Sequence, residues 1–262
     1  SLEANKGAYS YAWMIIFAVI AAIMVLIGLY HIRMLPSNQI PSTTKKTTSE
    51  VGRELVAVIA NFFTKKHIFY YICFIILYRL AEGFIMKIAP LFLRASREVG
   101  GLGLSLKEIG TLNGVFGSAA FVLGSLLAGI YVSKFGLKRT LFTLCCIFNL
   151  PFVAYTFLAV TQPTNVYLIG TCITMEYFGY GFGFVGLTLF MMQQIAPGKH
   201  QMSHYAFASG IMNLGVMLPG MVSGYFSDLL GYRDFFIYVL IATIPAFLIT
   251  YFIPFTYDDS KK

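Results

Sequence analysis

Three ionisable residues, Arg79, Glu82 and Lys87, lie inside the otherwise apolar stretch YRLAEGFIMKIAPLFL at residues 78–93. A charge inside a membrane-spanning helix costs about 2.5–3.5 kcal/mol on insertion scales, so such residues usually pair with one another or face a cavity. On one continuous α-helix the three would fall within about 140° of arc, at 100° per residue. The spacing therefore predicts one charged side on this helix.

Two interpretations of this charged side stay open. In the structural one, Arg79 and Glu82 form an ion pair at i and i+3 that fixes the helix to its neighbours, and Lys87 reaches the outer interface. In the functional one, Arg79 or Lys87 binds an anionic group of a solute, while Glu82 binds polar groups or carries a proton. Pro90 lies on the same side. We expect it to break or kink the helix and to expose a backbone carbonyl near Met86 to the ligand.

Glu176 lies about ten residues into another apolar segment, with no basic residue within one helical turn. A buried carboxylate without a strong partner favours its protonated form and can exchange a proton near physiological pH. That is the chemistry of a proton-coupled carrier, so Glu82 and Glu176 are the candidate proton-coupling residues. The alternative is that Glu176 is a protonated, hydrogen-bonded structural residue.

Other polar residues in apolar segments are weaker candidates. Tyr78, Tyr180 and Asn213 are added to the candidate substrate-binding residues, and Gln193 is a lesser addition. His204 fits an interfacial residue better than a proton relay. These assignments rest on residue type and depth alone.

The string GFGFVG at residues 181–186 matches a dinucleotide-binding fingerprint, but its context does not. No strand precedes it, and no acidic residue follows about 20 positions later. We interpret its glycines as a surface for close helix packing, or as a hinge. The sequence shows no triad of a hydrolase and no cluster of metal ligands, so we expect no enzyme activity, cofactor or metal site.

The composition sets the class of protein that positions these residues. Of 262 residues, 58% are hydrophobic and only 11% are charged, whereas soluble domains contain about 25% charged residues. This indicates a multi-spanning membrane protein. We attribute the net charge of +8 to basic residues that collect in the cytoplasmic loops of a membrane protein, rather than to nucleic-acid binding. The four cysteines lie in apolar runs and are expected to be reduced and buried.

Seven segments are long and apolar enough to span a membrane as helices, which predicts an all-α membrane protein. They are residues 9–32, 67–93, 107–132, 140–160, 166–195, 204–228 and 234–255. After the first comes a polar linker, whose second part has an amphipathic pattern. Leu55, Ile59, Phe62 and Phe63 are predicted on one face of a helix that lies along the membrane surface.

The basic residues outside the spans divide unequally between the two sides. Twelve fall on the side of the linker: Arg33, Lys45, Lys46, Arg53, Lys65, Lys66, Lys134, Lys138, Arg139, Lys199, Lys261 and Lys262. Five fall on the other side: Lys6, Arg94, Arg97, Lys107 and Arg233. Because basic residues collect in cytoplasmic loops, the linker and the C-terminus are predicted to be cytoplasmic, and Ser1 to lie outside.

One long linker followed by six closely spaced helices resembles the second half of a major facilitator superfamily transporter. The resemblance implies three parts. Residues 1–33 would be the sixth helix of the whole transporter, residues 34–66 the cytoplasmic linker between halves, and residues 67–262 the second six-helix half. The chain begins with Ser1 rather than Met, and we expect it to be part of a longer protein whose N-terminal six-helix half is its partner.

The loop at residues 124–141 carries the signature pattern of that superfamily, roughly G-x-x-x-D-[RK]-x-G-[RK]-[RK]. The matching residues, which we name as a conformational loop, are Gly129, Lys134, Gly136, Lys138 and Arg139. Ser133 takes the acidic position, so the role of the loop is expected to be weakened. The alternative is an ordinary basic turn. In the connection between the predicted spans 204–228 and 234–255, Gly231 is predicted to end one helix and Asp234 to begin the last helix.

A closer resemblance is to the branch that contains the AmpG-type muropeptide permeases and the acetyl-coenzyme A transporters. It rests on YRLAEGF, MEYFGYGFGF and SHYAFASGIMNLGVMLPGMVSGYFSDLLGY, in this order. It places an acidic residue near Glu82. It implies a permease of the cytoplasmic membrane that moves an anionic sugar-peptide by proton-coupled alternating access, with the solute, protons and the lipid bilayer as partners. A same-fold carrier of an acyl-coenzyme A or a sugar phosphate stays open, as does a membrane scaffold or receptor that transports nothing.

Overall fold

The computed structural model describes residues 2–34 and 47–257, and the chain divides into two compact units, residues 1–51 and 52–262. In the first unit, α1 (Leu2–Met34) is one helix that contains the first predicted span. Residues 35–46 of the predicted linker and residues 258–262 lie outside the described part. The four lysines counted there in the charge comparison therefore have no described position: Lys45, Lys46, Lys261 and Lys262.

The described residues form helices and turns, with no strand among them, which confirms the all-α fold class. Five helical segments within them are long and apolar enough to cross a membrane: Ser10–Met34, Ile68–Arg94, Leu106–Phe135, Leu137–Thr161 and Gln201–Phe252. The last, of 52 residues, contains two of the predicted spans. The predicted span at 166–195 is helical but is not among the five, because its glycines, tyrosines and Glu176 lower its hydropathy. A count of seven spans stays a prediction.

The predicted amphipathic helix is present as α2 (Thr48–Phe63). Its buried residues are Val58 and Phe62, whereas Leu55 and Phe63 are exposed, so the apolar face differs in part from the predicted one. Just after α2, the Lys65 ammonium donates hydrogen bonds to the carbonyl oxygens of Ile195 and Pro197. Burial lowers the pKa of Lys65 from its ordinary value. These contacts hold the end of α2 against the C-terminal end of a later helix.

The segment with the charged residues consists of α3 (Ile68–Tyr78) and α4 (Leu80–Arg94). The interruption lies at Arg79, whose φ of −104° and ψ of 6° are not helical. The expected break at Pro90 is wrong in position, because α4 continues through Pro90 to its end. Neighbouring helices allow proline inside spanning helices by satisfying the freed backbone groups.

The remaining spans are also built from helical pieces. The first consists of α5 (Leu106–Thr111), a π-helical turn (Leu112–Gly117) and α6 (Ser118–Phe135), and the next of α7 (Leu137–Asn149) and α8 (Phe152–Thr161). Then come α9 (Val166–Phe190) with a second π-helical turn (Met191–Ile195), and α10 (Gln201–Ala242) with α11 (Ile244–Phe252). Gly231 interrupts α10 with φ 71° and ψ 164°, where the sequence predicted a helix end. A positive φ of this kind is strained for any residue with a side chain.

Helix α9 lies between α6 and α7, and glycines form both of its contact faces. A Cβ atom at Gly181 would collide with the carbonyl oxygen of Phe121 in α6, and one at Gly183 would collide with Phe148 in α7. The backbones therefore approach as closely as small residues allow, which is how helices associate in a membrane. Close packing by the GFGFVG glycines is what the structure shows, and their use as a hinge stays a prediction.

Two apolar clusters form the core of the second unit. Phe74, Tyr78 and Phe148 belong to one cluster, and Ala81 and Phe92 belong to the other. Arg79 and Glu82 lie at the change from one cluster to the other, close to the middle of the span Ile68–Arg94. The fold thus buries both charged side chains near the middle of a candidate membrane span.

Candidate functional site

Arg79 and Glu82 form a bidentate ion pair at the join between α3 and α4. The Arg79 Nε donates to Glu82 Oε2 at 2.5 Å, and Nη2 donates to Oε1. Both residues are buried, with 4% and 5% of their surfaces exposed. The guanidinium carbon lies 5.4 Å from the centre of the Phe184 ring. Because a fork-to-fork pair satisfies both groups, Arg79 is not open to an anionic solute in this conformation.

Tyr78 and Tyr180 occupy different surroundings. The Tyr78 hydroxyl donates to the carbonyl oxygen of Gly183 at 2.9 Å, and the side chain is fully buried. Tyr78 therefore joins α3 to α9 and does not line the cavity that contains Glu82. Tyr180 is half-buried and lines a cavity together with Glu82.

This cavity of about 110 Å³ brings together the two predicted acidic residues, Glu82 of α4 and Glu176 of α9. Its polar lining also includes three residues that the sequence did not indicate: Asn113, Tyr155 and Tyr177. At about 30 Å³ of liquid volume per water molecule, it has room for about three or four waters. It is large enough for protons and water, or for one end of a solute, but not for a whole sugar-peptide.

Glu176 is half-buried and has no hydrogen bond or ion pair with any of the described residues. None of the residues that line this cavity is basic, and Arg79 is already paired with Glu82. If Glu176 is ionised, its charge has no opposite charge beside it, and the charge of Glu82 repels it. A carboxyl group in this setting can bind a proton or another positively charged donor.

Asn113 is a functional candidate that the sequence analysis missed. Its Oδ1 atom is buried and has no hydrogen-bond partner among residues 2–34 and 47–257. It lies in the π-helical turn Leu112–Gly117, and such turns are frequent at functional sites. The available signal was an amide side chain inside the apolar span Leu106–Phe135.

Lys87 and Asn213 do not line this cavity. Lys87 is exposed on α4 and its side chain lies beside Gly220 of α10, while Asn213 is exposed on α10. Arg79 and Glu82 lie together in an ion pair, as one charged side requires, but Lys87 does not join them. Glu82 and Lys87 lie at opposite ends of the predicted arc of about 140°, which is wide enough for Glu82 to be buried while Lys87 is exposed. Lys87 and Asn213 stay candidates for a separate solute contact.

His204 lies at the start of α10, fully buried beneath α2. Its Nε2 is 3.4 Å from the Val58 carbonyl oxygen, and its ring centre is 5.7 Å from that of Phe62. Its Nδ1 has no partner in the described part of the chain. This position fits a contact residue between two helices, and nothing links it to the cavity around Glu176.

The signature loop ends α6 at Gly136, which has φ 79°. The Ser133 hydroxyl donates to the Ile130 carbonyl oxygen at 2.8 Å within its own helix. Gly129, Lys134, Gly136 and Arg139 line a groove there, together with Gln193 and Ser133, whereas Lys138 is not part of its lining. A role of this loop in conformational change stays a prediction.

The arrangement is that of a multi-pass helical membrane protein with ionisable groups at mid-span, and comparison with known families agrees. Residues 7–197 match the family model described as Major Facilitator Superfamily, so the chain belongs to this superfamily. Its relatives are transporters rather than enzymes.

Individual relatives confirm the resemblance to AmpG-type permeases. The chain is 23% identical over 209 residues to "Anhydromuropeptide permease" of Escherichia coli (strain K12), which covers 80% of this chain and 41% of the relative. It is 25% identical over 238 residues to "Putative transporter AmpG 1" of Rickettsia bellii, covering 89% and 56%. It is 27% identical over 204 residues to "Putative transporter AmpG 2" of Rickettsia prowazekii, covering 76% and 47%. The chain spans about half the length of these relatives.

Proposed function

We propose that the chain is the second half, with the preceding helix, of a permease of the cytoplasmic membrane. The permease takes up an anionic, muropeptide-like sugar-peptide by proton-coupled alternating access. Residues 67–262 form one six-helix half, which rocks against an N-terminal half around a site at mid-membrane depth. The linker and the C-terminus lie on the cytoplasmic side. One relative is named for anhydromuropeptide, which supports this class of solute.

The observation that carries the proposal is the cavity shared by Glu82 and Glu176. Ionisable groups inside a membrane are costly and mark ion or substrate pathways. A pure scaffold gains nothing from an acidic side chain without an opposite charge at this depth. Glu176 is therefore assigned the exchange of a proton during the transport cycle.

The solute itself is assigned to a different surface. Lys87 is an exposed cation on α4, and Asn213 is an exposed amide on α10. The two helices pack against each other. An anionic group of the solute would bind Lys87, and polar groups would bind Asn213, on the side that meets the N-terminal half. Because Arg79 is held by Glu82, it supports this site without binding the anion.

The first experiment is uptake of labelled anhydromuropeptide by the intact transporter in proteoliposomes, with and without an inward proton gradient. We expect the gradient to drive accumulation. Glu176→Gln should abolish the gradient-driven part but retain exchange of labelled for unlabelled solute, because exchange needs no net proton movement. Glu98→Gln is the matched control, since Glu98 is exposed and lies outside the cavity.

The outcomes separate the parts of the proposal. Uptake that an acyl-coenzyme A or a sugar phosphate outcompetes would assign a different anionic solute to the same carrier. Gradient-driven uptake that Glu176→Gln leaves intact would remove Glu176 from coupling. No flux of any of these solutes by folded protein would favour a scaffold or receptor and would overturn the proposal.

A further inference from the structure

A second polar concavity lies where α6 ends and α7 begins, and it shares no lining residue with the cavity around Glu176. This groove has a volume of about 530 Å³. Ser133 and Lys134 contribute polar groups from the end of α6, and Arg139 does so from the start of α7. Gln193 contributes an amide from the π-helical turn after α9. The groove is nearly five times larger than the cavity around Glu176, and it is large enough for a phosphate group with its substituents.

The groove carries positive charge that no residue of its lining balances. None of the residues that line it is acidic. Lys134 and Arg139 form no ion pair with residues of the described ranges. The Lys134 ammonium lies 5.5 Å from the centre of the Phe135 ring. The aromatic ring attracts a cation but has no negative charge to neutralise it.

The family pattern explains why this charge is unbalanced. In that pattern the position of Ser133 is acidic, so a carboxylate would lie beside the basic residues. Here the Ser133 hydroxyl donates to the Ile130 carbonyl oxygen and supplies no negative charge. Compared with that pattern, this loop has the basic residues without the acidic one. An external anion could take its place.

We propose that this groove binds a phosphate-bearing anion. The Arg139 guanidinium supplies a planar fork that matches phosphate oxygens, and the Lys134 ammonium adds a point charge. The Gln193 amide adds neutral donors. The groove lies where the candidate spans Leu106–Phe135 and Leu137–Thr161 meet. The end of a membrane-spanning helix is the level of the lipid headgroups in a bilayer. A headgroup of an anionic phospholipid and a free phosphate both have this chemistry.

The test measures binding and does not depend on transport. The intact protein is placed in nanodiscs of phosphatidylcholine, with or without phosphatidylglycerol, and retained lipid is counted by native mass spectrometry. In a second arm, detergent-solubilised protein is titrated with inorganic phosphate against chloride at equal ionic strength, and the unfolding temperature is followed. Selective retention of phosphatidylglycerol, with no shift of the unfolding temperature by inorganic phosphate, assigns a lipid headgroup to the groove. A shift with inorganic phosphate assigns a free phosphate.

The discriminating variant is Lys134→Gln with Arg139→Gln, which keeps side-chain length and hydrogen bonding. At about 1 kcal/mol per basic residue near an anionic surface, the affinity should fall about thirty-fold. Arg94→Gln with Arg233→Gln is the control, because both residues are exposed and neither lines the groove. Equal loss in both double variants would show general surface charge and overturn the proposal. Absence of selective binding in either arm would overturn it as well.

Discussion

Removal of one member of the Arg79–Glu82 pair should destabilise the protein far more than removal of both. The two side chains are 4% and 5% exposed and satisfy each other in a bidentate contact. Breaking a buried ion pair from one side typically costs about 3–5 kcal/mol, because a charge is left without a partner. Replacing both members by apolar residues of similar volume is often neutral.

The two single variants should differ in a way that reveals the chemistry. Glu82→Met leaves a guanidinium that cannot lose its proton. Arg79→Met leaves a carboxylate that can become neutral by accepting one. We therefore expect Glu82→Met to be the more costly change, near the upper end of that range. The cost of Arg79→Met should shrink as the pH falls.

The assay pairs thermal unfolding in nanodiscs with transport in proteoliposomes for both single variants and the double variant. Arg94→Gln is the control on the same helix, and because Arg94 is exposed it should stay within about 0.5 kcal/mol of the parent. A double variant that recovers stability and transport would assign the pair a structural role. Recovery of stability without transport would assign it a functional one. Single variants that unfold like the parent would refute the reasoning.

Two further predictions concern packing. Gly181→Ala should lower the free energy of unfolding by about 1–3 kcal/mol, because the new methyl group would collide with the backbone carbonyl of Phe121. Gly210 has open space around it, so Gly210→Ala should leave thermal unfolding unchanged. Lys65→Met removes the charge-assisted hydrogen bonds to Ile195 and Pro197, each of which contributes up to about 1.5–3 kcal/mol. The rate of amide hydrogen exchange should therefore rise in α2 and stay unchanged in α6. Equal stability of the two glycine variants, or unchanged exchange in α2, would contradict these expectations.

The features that follow from local spacing could be predicted from the sequence. Arg79 and Glu82 are three residues apart, so their pairing needs no knowledge of distant helices. Gly231 ends a helix because its own backbone adopts a positive φ. The apolar segments and the glycines of α9 likewise reflect requirements on single helices and their immediate contacts.

The features that depend on how helices are interrupted could not be predicted. The common face of Arg79 and Lys87 assumed a single straight helix, but the helix is interrupted at Arg79 and Lys87 does not join the ion pair. Pro90 looked like the break because proline lacks a backbone donor, yet its neighbours hold α4 together. Asn113 escaped notice because a π-helical turn has no recognisable sequence signal and its neighbours in the cavity come from other spans.

The geometry also separates the two acidic residues that the sequence treated alike. Glu82 has Arg79 as a close partner, which ties its two oxygens to one geometry. Glu176 lines the same cavity with no cation of its own. A residue that must gain and lose a proton in each cycle needs both forms to be accessible. Under the proposed mechanism we therefore assign the proton exchange to Glu176, and we assign to Glu82 the neutralisation of the buried Arg79 beside it.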